Sequence, residues 1–138
     1  METSVNNKCR SFTSLEQSKK LAEILPVESA DMWWSRCTIT DFGDGVLKVS
    51  YAVEPCNISQ FRNTKEDVPC WSLAALLGVI PKYINDNELG IYIRDNTFAI
   101  WYYKFRDSVN NSLPNIKMES AVDACVAMIE KLYELNLL

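Results

Sequence analysis

Four aromatic residues, Tyr92, Trp101, Tyr103 and Phe105, recur at a spacing that puts them on one face of a two-stranded ribbon, with Arg94, Lys104 and Arg106 nearby. Rings and cations together on a sheet face can do two things. They can stack on unpaired bases, as single-strand-binding sheets do. They can also form the centre of a protein interface, where aromatic residues and Arg are enriched. The plainer reading makes Tyr92 and Trp101 part of the core. Trp33 and Trp34 pose the same question: adjacent in an extended segment, they point to opposite faces, so at most one enters a given core while the other caps the sheet edge. The candidate interface set is therefore Trp34, Tyr92, Arg94, Trp101, Tyr103 and Phe105.

Other chemistry has little to work with. The chain contains no histidine, which removes Ser-His and Cys-His nucleophile pairs and histidine metal sites together. Its five cysteines (Cys9, Cys37, Cys56, Cys70, Cys125) are scattered, odd in number and without metal-ligand spacing. Phosphate-binding glycine motifs and the GxSxG nucleophile turn are absent. Asp41-Phe42-Gly43 matches a kinase tripeptide by chance, because nothing else that phosphoryl transfer needs accompanies it. Asp86 and Glu88 read as a solvated turn. No catalytic, cofactor-binding or metal-ligating residue is assigned, and no cofactor is expected.

A length of 138 residues fits one domain, and 48% hydrophobic against 23% charged residues makes it globular. A net charge of −4 argues against nonspecific binding to nucleic acid or to an anionic membrane, since both need a basic face. The opening residues hold no apolar leader and no run is long enough to span a bilayer, so a soluble cytoplasmic protein with reduced thiols is expected.

The elements that must position the aromatic ribbon follow from periodicity. Residues 1–11 read as a flexible polar tail, and 12–138 as a single domain. A helix from about Ser14 to Leu25 opens on a capping box, Thr13 with Glu16 or Ser14 with Gln17, and carries Leu15, Leu21, Ala22, Ile24 and Leu25 on its apolar side. Arg36–Asp41 and Val46–Val53 form a hairpin around Gly43 and Gly45, with Leu47, Val49 and Tyr51 inward. Residues 54–67 read as a loop. Val68–Pro81 reads as a central helix buried all round, with Asp67 as cap and Pro69 in its first turn; a buried strand is the rival, and the Ala-Ala-Leu-Leu run favours the helix. After a turn-rich connection, Leu89–Arg94 and Phe98–Phe105 form the ribbon, turning at Asp95-Asn96, and 106–117 read as a polar loop. A last helix, about Ala121 to Leu135, is capped by Ser120 with Asp123 and buries Val122, Cys125, Val126, Ile129, Leu132 and Tyr133. The order predicts an α+β fold, a small antiparallel sheet from two hairpins packed against three helices.

Three blocks of the chain, TSLEQSKKLAEILPVESADMWW (13–34), CWSLAALLGVIP (70–81) and AVDACVAMIEKLYELNLL (121–138), resemble a family of short uncharacterised proteins of gut Bacteroides and their phages and mobile elements. In that family the last block opens with Asn-Pro where this chain has Ser120-Ala121, a departure confined to the first turn of the helix. The resemblance implies a phage or mobile-element origin and no activity.

Together these features point to a noncatalytic interaction or accessory protein that binds a protein partner or itself through the aromatic hairpin. A nucleic-acid-binding module using the same aromatic and basic residues is the alternative. An enzyme with carboxylates or a thiol converging from distant positions is the third reading.

Overall fold

The computed structural model describes residues 11–40, 47–51, 55–57, 67–104 and 113–138, with only the backbone for 36–40, 47–51 and 56–57. The class is α+β, with three α-helices and antiparallel sheets among the described residues. By their contacts the residues group into two compact units, Ser14–Trp71 and Met1–Thr13 with Ser72–Leu138.

In the Ser14–Trp71 unit, helix α1 (Leu15–Ile24) begins with the Ser14/Gln17 form of the capping box. The Ser14 hydroxyl accepts the Gln17 N–H at 3.1 Å, and the Gln17 side chain accepts the Ser14 N–H at 2.9 Å. Its buried side is narrower than the apolar pattern predicts. Leu21, Leu25 and Ser18 are buried, whereas Ala22 is exposed. A polar Ser18 belongs inside because it serves an indole, as described below.

Strand β1 (Met32–Trp34) is the centre of a three-stranded sheet, between β4 (Cys56–Asn57) and β5 (Val68–Cys70). Trp33 and Trp34 are both buried, at 8% and 7% exposure. The expectation that one would cap an edge is corrected: a central strand covered on both faces buries alternate side chains equally. Pro69 lies opposite Trp33 in β5, an edge strand, where a missing N–H is tolerated. The predicted hairpin forms as β2 (Arg36–Thr40) and β3 (Leu47–Tyr51), in register from Arg36↔Tyr51 to Thr40↔Leu47, and is a separate two-stranded sheet. Its turn, and the facing of Leu47, Val49 and Tyr51, lie outside the described residues and side chains.

The Val68–Pro81 stretch departs most from expectation. Its first residues are strand β5, and helix α2 (Leu73–Val79) starts only after Ser72, whose hydroxyl accepts the Ala75 N–H at 3.2 Å. Asp67 and Pro69 therefore have no part in the helix start. Nor is α2 buried all round: Leu76 is buried, Ala74 and Gly78 are exposed, and Ile80 is buried just past the helix end. The Ser11 carbonyl accepts the Leu73 N–H at 2.9 Å and Phe12 bridges Ser72, which ties the start of the described chain to this helix.

The remaining sheet has the order β6-β7-β8-β9, from β6 (Tyr83–Ile84), β7 (Asn87–Arg94), β8 (Thr97–Lys104) and β9 (Asn115–Met118). Two short turns join its first three strands, and each carries an acidic or amide residue in the left-handed region, Asn85 at φ 54° and Asp95 at φ 54°. Neither β6 nor β9 is among the predicted strands; both lie in segments read as loops. Helix α3 (Ala121–Glu134), capped by Ser120 accepting the Asp123 N–H at 3.2 Å, packs on β8, β9 and α2. Packing on both the sheet and α2 widens its buried arc to include Ala124 and Met128, while Tyr133 stays half-exposed.

Candidate functional site

Cross-strand partners in an antiparallel pair lie on the same sheet face, so register assigns every side chain of the ribbon. One face carries Leu89/Tyr102, Ile91/Ile100 and Ile93/Phe98. Tyr102, Ile100 and Phe98 on that face are buried, and they form the core of this unit with Val122, Cys125, Ile129 and Leu132 of α3. The Tyr102 hydroxyl donates to the Pro81 carbonyl at 2.5 Å, and burial pushes its pKa up to about 12.

The other face carries Glu88/Tyr103, Gly90/Trp101, Tyr92/Ala99 and Arg94/Thr97. The flanking strands extend it. Tyr83 lies beside Glu88, and Asn115 and Lys117 lie beside Trp101 and Ala99. The result is an aromatic row, Tyr83, Tyr103, Trp101 and Tyr92, with Arg94 two residues along β7 from Tyr92 and Lys117 beyond Ala99 on the same face. Tyr83 is 66% and Tyr92 49% exposed, and Trp101 and Tyr103 are partly exposed. Trp101 lies over Gly90, where an added Cβ would come within 3.0 Å of the indole. The glycine is what lets this large ring lie flat on the sheet. The Tyr103 hydroxyl donates to Glu88 across the strands at 3.4 Å, and the Glu88 carboxylate raises the pKa of that phenol.

The predicted set divides accordingly. Tyr92, Arg94, Trp101 and Tyr103 share one face, away from the helix-covered core. Trp34 belongs to the other unit and is a buried residue there, its indole N–H donating to Ser18 Oγ at 3.1 Å. Phe105 and Arg106 lie outside the described residues. Lys104 pairs with Asn87 on the opposite face from the aromatic row. Tyr83 and Lys117 are additions. Tyr83-Ile84 followed by Asn85-Asp86 and Asn87-Glu88 has the form of two short strands around a two-residue turn, a signal present in the sequence. Lys117 had none.

Nothing described here offers a reactive constellation. Cys70 and Cys125 are buried, and burial pushes the Cys125 thiol up to about 12, which leaves almost no thiolate. Among the described residues no group of three potential ligands gathers to hold a metal, and no helix is long and apolar enough to cross a membrane. An open concavity of about 430 Å³ lies between the hairpin tip, at Ile93 and Phe98, and the start of α3, at Glu119 and Ala121. It lies against the core face of the ribbon and brings no nucleophile beside a base. Comparison with known proteins finds no matching family, no matching curated protein and no matching solved structure.

Proposed function

We propose that this is a noncatalytic interaction protein that binds a protein partner, or a second copy of itself, through the aromatic face of the β6–β9 sheet. One observation carries the reading. Tyr83, Tyr92, Trp101 and Tyr103 line up on the face away from the helix-covered core, with Arg94 and Lys117 beside them and Tyr83 and Tyr92 well exposed. Tyr, Trp and Arg are the residue types that dominate interface energetics, because each joins a large contact area to a polar tip. A cytoplasmic setting and a phage or mobile-element origin belong to the same proposal, the latter resting on the family resemblance alone.

A nucleic-acid reading has one observation in its favour, the placement of Arg94 and Lys117 on the same face as the aromatic row. Glu88 on the same face and the net charge of −4 weigh against it. Affinity capture of the tagged protein, with and without nuclease, separates the two. A protein that survives nuclease and is lost with Tyr92→Ala supports the interaction reading. Binding that needs nucleic acid and falls steeply with salt replaces it. Capture unchanged by Tyr83→Ala and Tyr92→Ala together would remove the aromatic face from the account.

A further inference from the structure

Strand β7 is paired along its whole length on one edge and only at its start on the other. β8 covers one edge from Asn87 to Arg94. On the other, β6 pairs with Asn87 and Glu88, and the last contact is the Leu89 N–H donating to the Lys82 carbonyl at 2.9 Å. Backbone groups alternate between the two edges of a strand, so Ile91 and Ile93, two and four residues on from Leu89, also aim N–H and C=O outward. Among the described residues no strand receives them. Their side chains sit beside buried Ile100 and Phe98, yet Ile91 is 44% and Ile93 71% exposed. Edges meant for solvent are usually blunted by lysine, proline or a bulge. Gly90–Ile93 has none of these.

We propose that this edge is covered by the same edge of a second copy, the two β7 strands pairing antiparallel about a two-fold axis at Tyr92. The proposal rests on the reading of the ribbon as a protein-binding surface and names its partner. An unpaired backbone edge calls for an extended strand, and a closed two-fold pair requires that strand to run antiparallel. The free groups set the register. Ile91 faces Ile93 of the second copy and Ile93 faces its Ile91, so all four outward groups on each strand find partners. Sliding the pair until Ile91 faces Ile91 would set Ile93 against Leu89, whose N–H is already given to Lys82.

The side chains suit this register. The isoleucines form one apolar strip continuous with Ile100 and Phe98. On the opposite face, Arg94 falls across from Gly90 of the second copy, a position without a side chain that lies under the Trp101 indole. A guanidinium there meets an aromatic ring, and Glu88 of the second copy is its diagonal neighbour on the same face. Two such Arg94–Glu88 contacts form per pair.

The test is solution mass of the full chain against concentration, by sedimentation or light scattering. A dimer is expected whose dissociation constant rises about tenfold or more in Ile93→Lys, which places a lysine in the apolar strip twice per pair. Arg94→Glu should weaken it by about two- to fivefold, and Glu88→Arg combined with Arg94→Glu should recover it. Circular dichroism confirms that each variant folds. A chain that stays monomeric overturns the proposal, and so does a dimer indifferent to both Ile93→Lys and the charge exchange. A monomer that still holds a protein through Tyr92 overturns self-pairing and leaves the proposed function standing.

Discussion

The two units use their aromatic residues in opposite ways. In the Ser14–Trp71 unit, Trp33, Trp34 and Trp71 are all buried. Serine hydroxyls receive two of the indoles: Trp34 donates to Ser18, and Trp71 donates to Ser29 at 2.9 Å. Ser29 in turn donates to the Pro26 carbonyl at 2.6 Å. A buried indole brings a large apolar area and one N–H that must be satisfied, and these serines satisfy it. In the Ser72–Leu138 unit, the aromatic row lies on the face that α3 does not cover. Tyr83 and Tyr92 are well exposed there, and the contact from Tyr103 to Glu88 is itself exposed. Residue type is the same in both. Whether an aromatic builds a fold or offers a surface is decided by which face of its strand is covered.

Truncating a buried indole is the hardest blow to this contrast. Trp71→Ala should destabilise the protein by about 3–5 kcal/mol, since Trp71 is fully buried. Denaturant unfolding would read this directly, and a loss under about 1 kcal/mol would mean that Trp71 is not structural. A smaller change tests the polar partner. Ser18→Ala removes the acceptor of the Trp34 indole and should cost about 1–2 kcal/mol. An unchanged unfolding midpoint would show that the bond is worth nothing net.

Alkaline pH probes the core of the other unit. Tyr102 has a folded pKa of about 12 against an ordinary 10. Below pH 10 its phenol is neutral in both states and its contribution is whole. Between about pH 10 and 12 the unfolded chain gives up the proton first, so stability falls as pH rises. Tyr102→Phe should flatten that fall in urea midpoints taken across the range. The smallest effect on stability belongs to the surface. Tyr92→Ala should change stability by no more than about 0.5 kcal/mol while removing partner binding. If it unfolds the protein instead, the aromatic face is part of the core and the contrast between the units collapses.

Local physics written in the sequence determined a good part of this molecule. The Ser14/Gln17 box, the Ser120 cap, the β2–β3 hairpin and the β7–β8 ribbon all depend on neighbours within a few residues, and each is where periodicity and capping residues place it. The same alternation put Tyr92, Trp101 and Tyr103 on one face, because strand register carries that information without the rest of the fold. The apolar run from Val68 to Pro81 could not be read this way. The boundary between the units falls inside it, between Trp71 and Ser72, so that its first half is an edge strand and its second a short helix. Continuous hydrophobicity reports burial but not which element is buried, and propensity is too weak to choose. Tertiary structure also decided the fate of Trp34, because alternate side chains of β1 point to opposite faces and long-range packing buries both Trp33 and Trp34. It recruited Tyr83 and Lys117 to the aromatic face through two short strands whose pairing is a long-range choice. And among the described residues it left the outer edge of β7 without a paired strand past Leu89, a property of where β6 stops that no residue of β7 specifies.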